Sequence, residues 1–472
     1  MELDEYAACD ACELGGLISS KQVSAAEVLD AGRRAIEQVE PRLNALSHGP
    51  FDDVASAVDG PFAGVPLVVK DTLFEARRPN TLGSRLLDGF VSPIDATVAV
   101  RLRDAGFVSL GRSATPEFAF NLDTAPVTNG PTRNPWSLDR SPGGSSGGSA
   151  ALVAAGAVPI AHGNDGGGSI RLPAGWCGLV GLKPTRGRVP VGPVVSELVS
   201  GHGHEFVLTR SVRDAAALLD VLNGPEPGDR YYIERPSRAF AEQVGADPGR
   251  LRIAVCTTSP WGRATEPEVR AAVERTAREL ERLGHDVEEA IAPIDADALH
   301  DAHLVLWSWT LAGIAEAFGS ILRREVGIDN VEAASLACIE HGGALSALDI
   351  SHAQATLNTL SRAWGGFLDR FDVFVSPTAP TGPPRCGQPD QNDDRYSTAE
   401  AWIAEVFDWI PYTPIANATG QPSISLPLGT GQEGMPIGVM FTAQSLREGV
   451  LIRLASQLDF ARANTKPTVN VA

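Results

Sequence analysis

Two glycine-rich segments hold the residue types that could do covalent chemistry. In Asp165-Gly166-Gly167-Gly168-Ser169-Ile170-Arg171 one serine directly follows three glycines. With no side chains in the way, backbone N–H groups can point at one spot, which is how an oxyanion hole is built. Each such donor is typically worth about 3 to 4 kcal/mol of transition-state stabilisation, so the pattern points to acyl transfer onto a serine. The second segment, Gly143-Gly144-Ser145-Ser146-Gly147-Gly148-Ser149, sets three serines among four glycines. Alone it also fits a linker or a phosphate-binding turn, but it lacks the GKS or GKT ending of a P-loop.

A serine hydroxyl is a weak nucleophile at neutral pH and needs a base to take its proton. Nine histidines are present, His202 and His204 among them on a glycine-rich stretch, and none lies in a recognisable triad motif. A Ser-His-Asp hydrolase would show a G-x-S-x-G elbow after a strand, whereas Ser169 is flanked as GGSIR. At this level the base remains open.

The elements that must position these segments read as a layered α/β fold. Apolar residues recur at helical spacing from Tyr6 to Leu17 and from Val28 to Val39, and Ser24 stands three residues before Glu27 as a capping box. From Gly64 to Val69 a short apolar run bounded by Gly and Pro predicts a buried strand ending at Lys70. Similar strands are predicted at Phe107 to Leu110, Leu251 to Cys256, Val373 to Val375 and Ile437 to Phe441, with helices between most of them. Glu266 to Leu283 predicts a helix that covers the sheet, and Gln388 to Arg395 a surface loop.

Three motifs, in order, resemble the amidase signature family: Gly64-Val65-Pro66-Leu67-Val68-Val69-Lys70-Asp71, the GGSSGGS of 143 to 149, and DGGGSIRLPA from 165 to 174. The resemblance continues through GLKPTRGR at 181 to 188, SPTAP at 376 to 380, GQPSIS at 420 to 425 and GMPIG at 434 to 438. It spans nearly the whole chain. The resemblance implies an α/β fold with a large, mixed, mainly parallel central sheet covered by helices on both faces. It also implies a catalytic lysine at Lys70, a bridging serine at Ser145 preceded by a cis peptide from Gly144, and a nucleophile at Ser169. The oxyanion donors then fall on the backbone N–H groups of Gly166, Gly167, Gly168 and Ser169, with Asp165 and Arg171 holding that loop in shape.

For Lys70 to accept a proton it must be uncharged, which burial at a strand end would favour. Lys183, in the GLKPT segment, is the rival base, and it reads more simply as a packing or salt-bridging lysine. Ser146 and Ser149 read as loop hydrogen-bonders. One domain over 1–472 is expected: helices in 1–60, the catalytic motifs in 61–200, a variable substrate-shaping region over about 200–370, and a return to the core in 371–472. Phe118, Phe120, Asn121, Trp307 and Trp309 are candidates to line an apolar pocket.

Composition bounds the partners. The chain has 472 residues, 43% of them hydrophobic and 21% charged, ordinary values for a folded protein with a large core. A net charge of -19, with no run of Lys and Arg, argues against nucleic acid. No membrane span is expected, since apolar stretches such as Ala150 to Ala161 are short and broken. The opening residues lack the basic region of a secretory signal, so a cytoplasmic location is expected. Six scattered cysteines suggest no disulfide framework, and the Cys9/Cys12 pair lacks further ligands nearby for zinc.

No metal or organic cofactor is implied. The HGND start of the nucleophile loop and its TRGR continuation are similar to bacterial amidases that act on nylon-oligomer amides, with relatives that cleave aryl amides or carbamates. The expectation is an amidohydrolase for small, hydrophobic, non-peptide amides or carbamates, with ester cleavage also open, acting as a monomer or homodimer. The alternatives are a glutaminase-type amidotransferase subunit and a catalytically silent binding protein on the same scaffold.

Overall fold

The short apolar runs do become strands, because Val, Ile and Leu bounded by chain breakers bury both faces of an extended chain. The structure, a computed structural model, describes residues 1–52, 59–458 and 467–471. Its strands are β1 (Leu46–His48), β2 (Pro66–Lys70), β3 (Val108–Ser113), β4 (Ile160–Asp165), β5 (Val180–Lys183), β6 (His204–Thr209), β7 (Arg252–Val255), β8 (Asp286–Glu289), β9 (Val373–Pro377), β10 (Ser423–Thr430) and β11 (Pro436–Ala443). All eleven join in one sheet, in the order β1-β3-β2-β4-β6-β5-β10-β11-β9-β7-β8.

The sheet is mixed, but it is not mainly parallel. β2 pairs in parallel with β3 and β4, and β7 with β8 and β9. The run from β4 through β6, β5, β10 and β11 to β9 is antiparallel throughout, as is the β1 edge. Strand direction was hidden in the sequence because a strand buried on both faces reads as the same apolar run either way.

Side chains alternate between two covered faces, as a strand's period of two requires. In β9, Val373 and Val375 join the main apolar core, while Phe374 between them joins a second cluster with Trp364 and Phe367. Helix Pro267–Arg282 lies on β8 to β11, as its one apolar face predicts. Ser24 accepts from the Glu27 N–H and caps helix Ala25–Leu43. The opening segment differs from expectation. It forms two helices, Leu3–Ala8 and Ala11–Ser19, because Asp10 caps the second and breaks the first. The polar run after Gln388 is also partly interior, where Gln391 is buried and donates to Ser335 Oγ.

Helix Ala296–Leu322 is long and apolar enough, by length and composition, to cross a membrane, with a mean hydropathy of 1.4. It packs against helices Ala333–Ala344 and Ala347–Arg370, and Leu306, Trp307 and Leu311 are buried by those contacts and by the core.

Candidate active site

The parallel trio β2, β3 and β4 delivers the chemistry to one place. Leu67 pairs with Ile160 and Val68 with Ala161, so Lys70 at the end of β2 lies beside Gly163 and Asn164 near the end of β4. The serine segment crosses these strand ends. Gly144–Ser145 is a cis peptide, Ser146 follows, and helix Gly147–Ala154 begins at once. Glycine is needed here: a Cβ on Gly144 would lie 2.7 Å from the Asn121 carbonyl oxygen.

Lys70 is completely buried. Its Nζ lies 2.7 Å from Ser145 Oγ, 3.0 Å from Ser146 Oγ and 2.5 Å from Asn164 Oδ1. Burial brings the amine down to about 7, against the pull of the Glu205 and Asp165 carboxylates toward the charged form. An amine with that value is half uncharged at neutral pH and can take a proton.

Asp165 organises the glycine loop. Its carboxylate pairs with Arg171 through two hydrogen bonds, from Nε at 2.9 Å and Nη2 at 2.8 Å. It also accepts from the N–H groups of Gly168, Ile170 and Arg171. Burial alone would raise the carboxyl, but the Arg171 guanidinium, and after it the Asn417 amide, hold it far below the usual range. Asn417 adds a further donor to Asp165 at 2.9 Å, and Thr413 donates to the Gly167 carbonyl at 2.6 Å.

One expected donor is thereby lost. The Gly168 N–H, 2.8 Å from Asp165 Oδ1, is turned inward and is not free for an oxyanion. Among the described residues, the N–H groups of Gly166, Gly167 and Ser169 make no hydrogen bond to protein. Ser169 is half-buried, and its Oγ likewise has no protein hydrogen-bond partner among them, Ser145 included.

The space over the glycines is apolar. A Cβ on Gly167 would meet the Trp307 ring at 3.1 Å and Ile410 at 3.7 Å, and one on Gly166 would meet Val199 at 3.5 Å. Trp307 packs on Phe120 with ring centres 5.2 Å apart, and Phe118 belongs to the same cluster. The flanking loops are strained: Phe118 and Ala119 take φ of 51° and 59°, Val199 and Ser200 46° and 52°. Trp309 does not join this cluster. It lies two residues from Trp307, about 200° around the helix, and is 44% exposed. Asn121 sits nearby, but its carboxamide holds loop backbone, donating to Pro389 O and accepting from the Asp123 N–H. Val199, Ile410, Thr413 and Asn417 had no sequence signal of their own, and Asn164 entered only as part of the HGND motif, with no role attached.

The other candidate bases face elsewhere. Lys183 donates to Pro184 O at 3.0 Å and to His204 Nε2 at 3.3 Å. His202 donates to Val199 O at 2.9 Å, and burial brings it down to about 3. The one metal-like grouping among the described residues is Asp10, Cys12 and Asp214. Those carboxylates cap helix Ala11–Ser19, accepting from Ala11, Cys12 and Glu13, while burial pushes the Cys12 thiol far up, away from a thiolate ligand.

Residues 30–452 match the amidase family model. The chain belongs to the amidase family. Its relatives within the family include the 6-aminohexanoate-cyclic-dimer hydrolase of Paenarthrobacter ureafaciens, 38% identical with 96% of this chain and 94% of that enzyme aligned. A solved 6-aminohexanoate cyclic dimer hydrolase complexed with substrate superposes with a TM-score of 0.92 at 36% identity, covering 98% of this chain and 99% of that one. A bacterial aryl acylamidase superposes with a TM-score of 0.86 at 28% identity, with 95% of each covered. As an amidase, the protein is a hydrolase of carbon–nitrogen bonds outside peptides.

Proposed function

We propose that this amidase cleaves small, hydrophobic amides through an acyl-enzyme on Ser169, with Lys70 as base acting through Ser145. The observation that carries the reading is the buried Lys70 amine, about 7, at 2.7 Å from a serine hydroxyl. Ser169 passes its proton to Ser145 as its oxygen attacks the carbonyl carbon, and Ser145 passes its own proton to Lys70. The oxyanion settles on the N–H groups of Gly166, Gly167 and Ser169. Collapse returns the proton along the same path to the leaving nitrogen, and water repeats the cycle on the ester.

The lining by Phe118, Phe120, Val199, Trp307 and Ile410 supports an apolar acyl or amine portion, as does the similarity to a hydrolase of a cyclic aliphatic amide. We assign carbamates to the same pocket as second-choice substrates. We read helix Ala296–Leu322 as a core helix because its buried face closes the site, and on that reading place the enzyme in the cytoplasm.

Covalent labelling of Ser169 by a fluorophosphonate, read by mass spectrometry of the intact chain and its peptides, tests the nucleophile. Label on Ser169, lost in Ser169→Ala, is expected; label elsewhere would reject the assignment. A panel of cyclic aliphatic amides, anilides, carbamates, esters and glutamine tests the substrate class. Turnover of glutamine above all others would favour a glutaminase instead.

A further inference from the structure

Lys70 has three hydrogen-bonding neighbours, yet an uncharged amine has two hydrogens and one lone pair. Only the lone pair can receive a proton, so the neighbour it faces decides whether the relay works. Two of the three neighbours have no proton to offer. Asn164 Nδ2 donates to Thr72 Oγ1 at 2.9 Å, which turns the carboxamide oxygen toward Lys70. Ser146 Oγ donates its single hydrogen to the Asn164 carbonyl oxygen at 3.2 Å, so toward the amine it can only accept. Ser145 Oγ has no hydrogen-bond partner other than Lys70 among the described residues, and its proton is free to meet the lone pair.

We propose that Asn164, assisted by Ser146, is a positioning residue that fixes the rotation of the Lys70 amine and aims its lone pair at the Ser145 hydroxyl. The inference rests on Lys70 being the terminal base. In the forward step the Ser169 proton moves to Ser145 Oγ, the Ser145 proton moves to Lys70 Nζ, and the Ser169 oxygen bonds the carbonyl carbon as its π electrons shift to oxygen. The ammonium that forms has three hydrogens for the same three oxygens, so no heavy atom near the amine has to move. A carboxamide suits position 164 because it accepts a hydrogen bond without a charge. A carboxylate there would hold the lysine as ammonium and silence it.

The test is the pH profile of Ser169 phosphonylation by a fluorophosphonate, measured on the full chain and on Asn164→Asp, Asn164→Leu and Lys70→Met. In Asn164→Asp the acidic limb is expected to move up by about one pH unit or more, with the rate recovered in alkali. In Asn164→Leu the rate is expected to fall about tenfold at every pH with no upward movement of the limb. A wild-type profile in Asn164→Asp overturns the proposal. Should that variant fail to fold, Thr72→Val leaves every neighbour of Lys70 in place but releases the carboxamide; slower labelling supports the role and an unchanged rate overturns it. If Lys70→Met itself labels normally, the underlying assignment of the base is what fails.

Discussion

Lys70 and Lys183 begin alike. They are two of the four lysines in the chain, each closes a buried strand, and each is removed from water with its amine pulled down by burial. Their neighbours differ. Lys70 faces two hydroxyls and a carboxamide at the mouth of the glycine loop. Lys183 faces a carbonyl oxygen and His204 Nε2, and His204 spends its Nδ1 hydrogen on the His202 carbonyl at 2.7 Å, leaving Nε2 a bare acceptor. Burial makes a lysine capable of being neutral, but only a hydroxyl that leads to the nucleophile makes it a base.

The sharpest way to break this comparison is to remove each amine in turn. Lys70→Met is expected to lower kcat/KM by about 10³-fold, the usual scale of general-base catalysis, and Lys70→Met combined with Ser145→Ala to be no worse than either alone. Lys183→Met is expected to cost less than about tenfold in rate and to act on the melting temperature, since it leaves buried acceptors unpaired at about 1 to 3 kcal/mol. Equal losses of rate in the two variants would erase the distinction.

A smaller effect separates the two tryptophans. Trp307→Ala is expected to raise KM for a hydrophobic amide about tenfold, because the ring covers the glycines proposed to hold the oxyanion, whereas Trp309→Ala leaves KM unchanged. A matching rise in both would place the pocket elsewhere.

Glu332 sharpens the comparison from the other side. Burial, then the neighbouring Glu117 carboxylate, pushes it up to about 7, close to Lys70, but among the described residues its carboxylate accepts from the Val127 N–H and Asn392 and meets no serine hydroxyl of the glycine loops. Its folded value is raised above the ordinary one, so its contribution to stability is present below the ordinary value and lost as pH rises through about 7. Glu332→Gln is expected to remove about 3 kcal/mol of that pH dependence in thermal melts while the rate profile stays in place.

Much of the site was legible in the sequence, and for physical reasons. The glycines around Ser169 announce close backbone approach, and the apolar run before Lys70 announces a buried strand end. The Asn164 contact was not legible, because it joins residues 94 positions apart through a register that only the folded sheet sets. Strand direction is not legible, because a strand buried on both faces has no one-sided pattern. The loss of Gly168 from the oxyanion set follows from the Asp165 carboxylate turning back on its own loop, a contact three residues long that composition does not reveal. Trp307 and Trp309 cannot both line one pocket from one helix, because a spacing of two puts them on opposite sides of it.

With only four lysines to resolve, the central claim can be read directly by NMR on protein carrying ¹³C at lysine Cε. The signal lost in Lys70→Met is predicted to titrate near 7, as burial of its amine requires. A Lys70 signal that stays charged until about 10, the ordinary lysine value, would contradict the account.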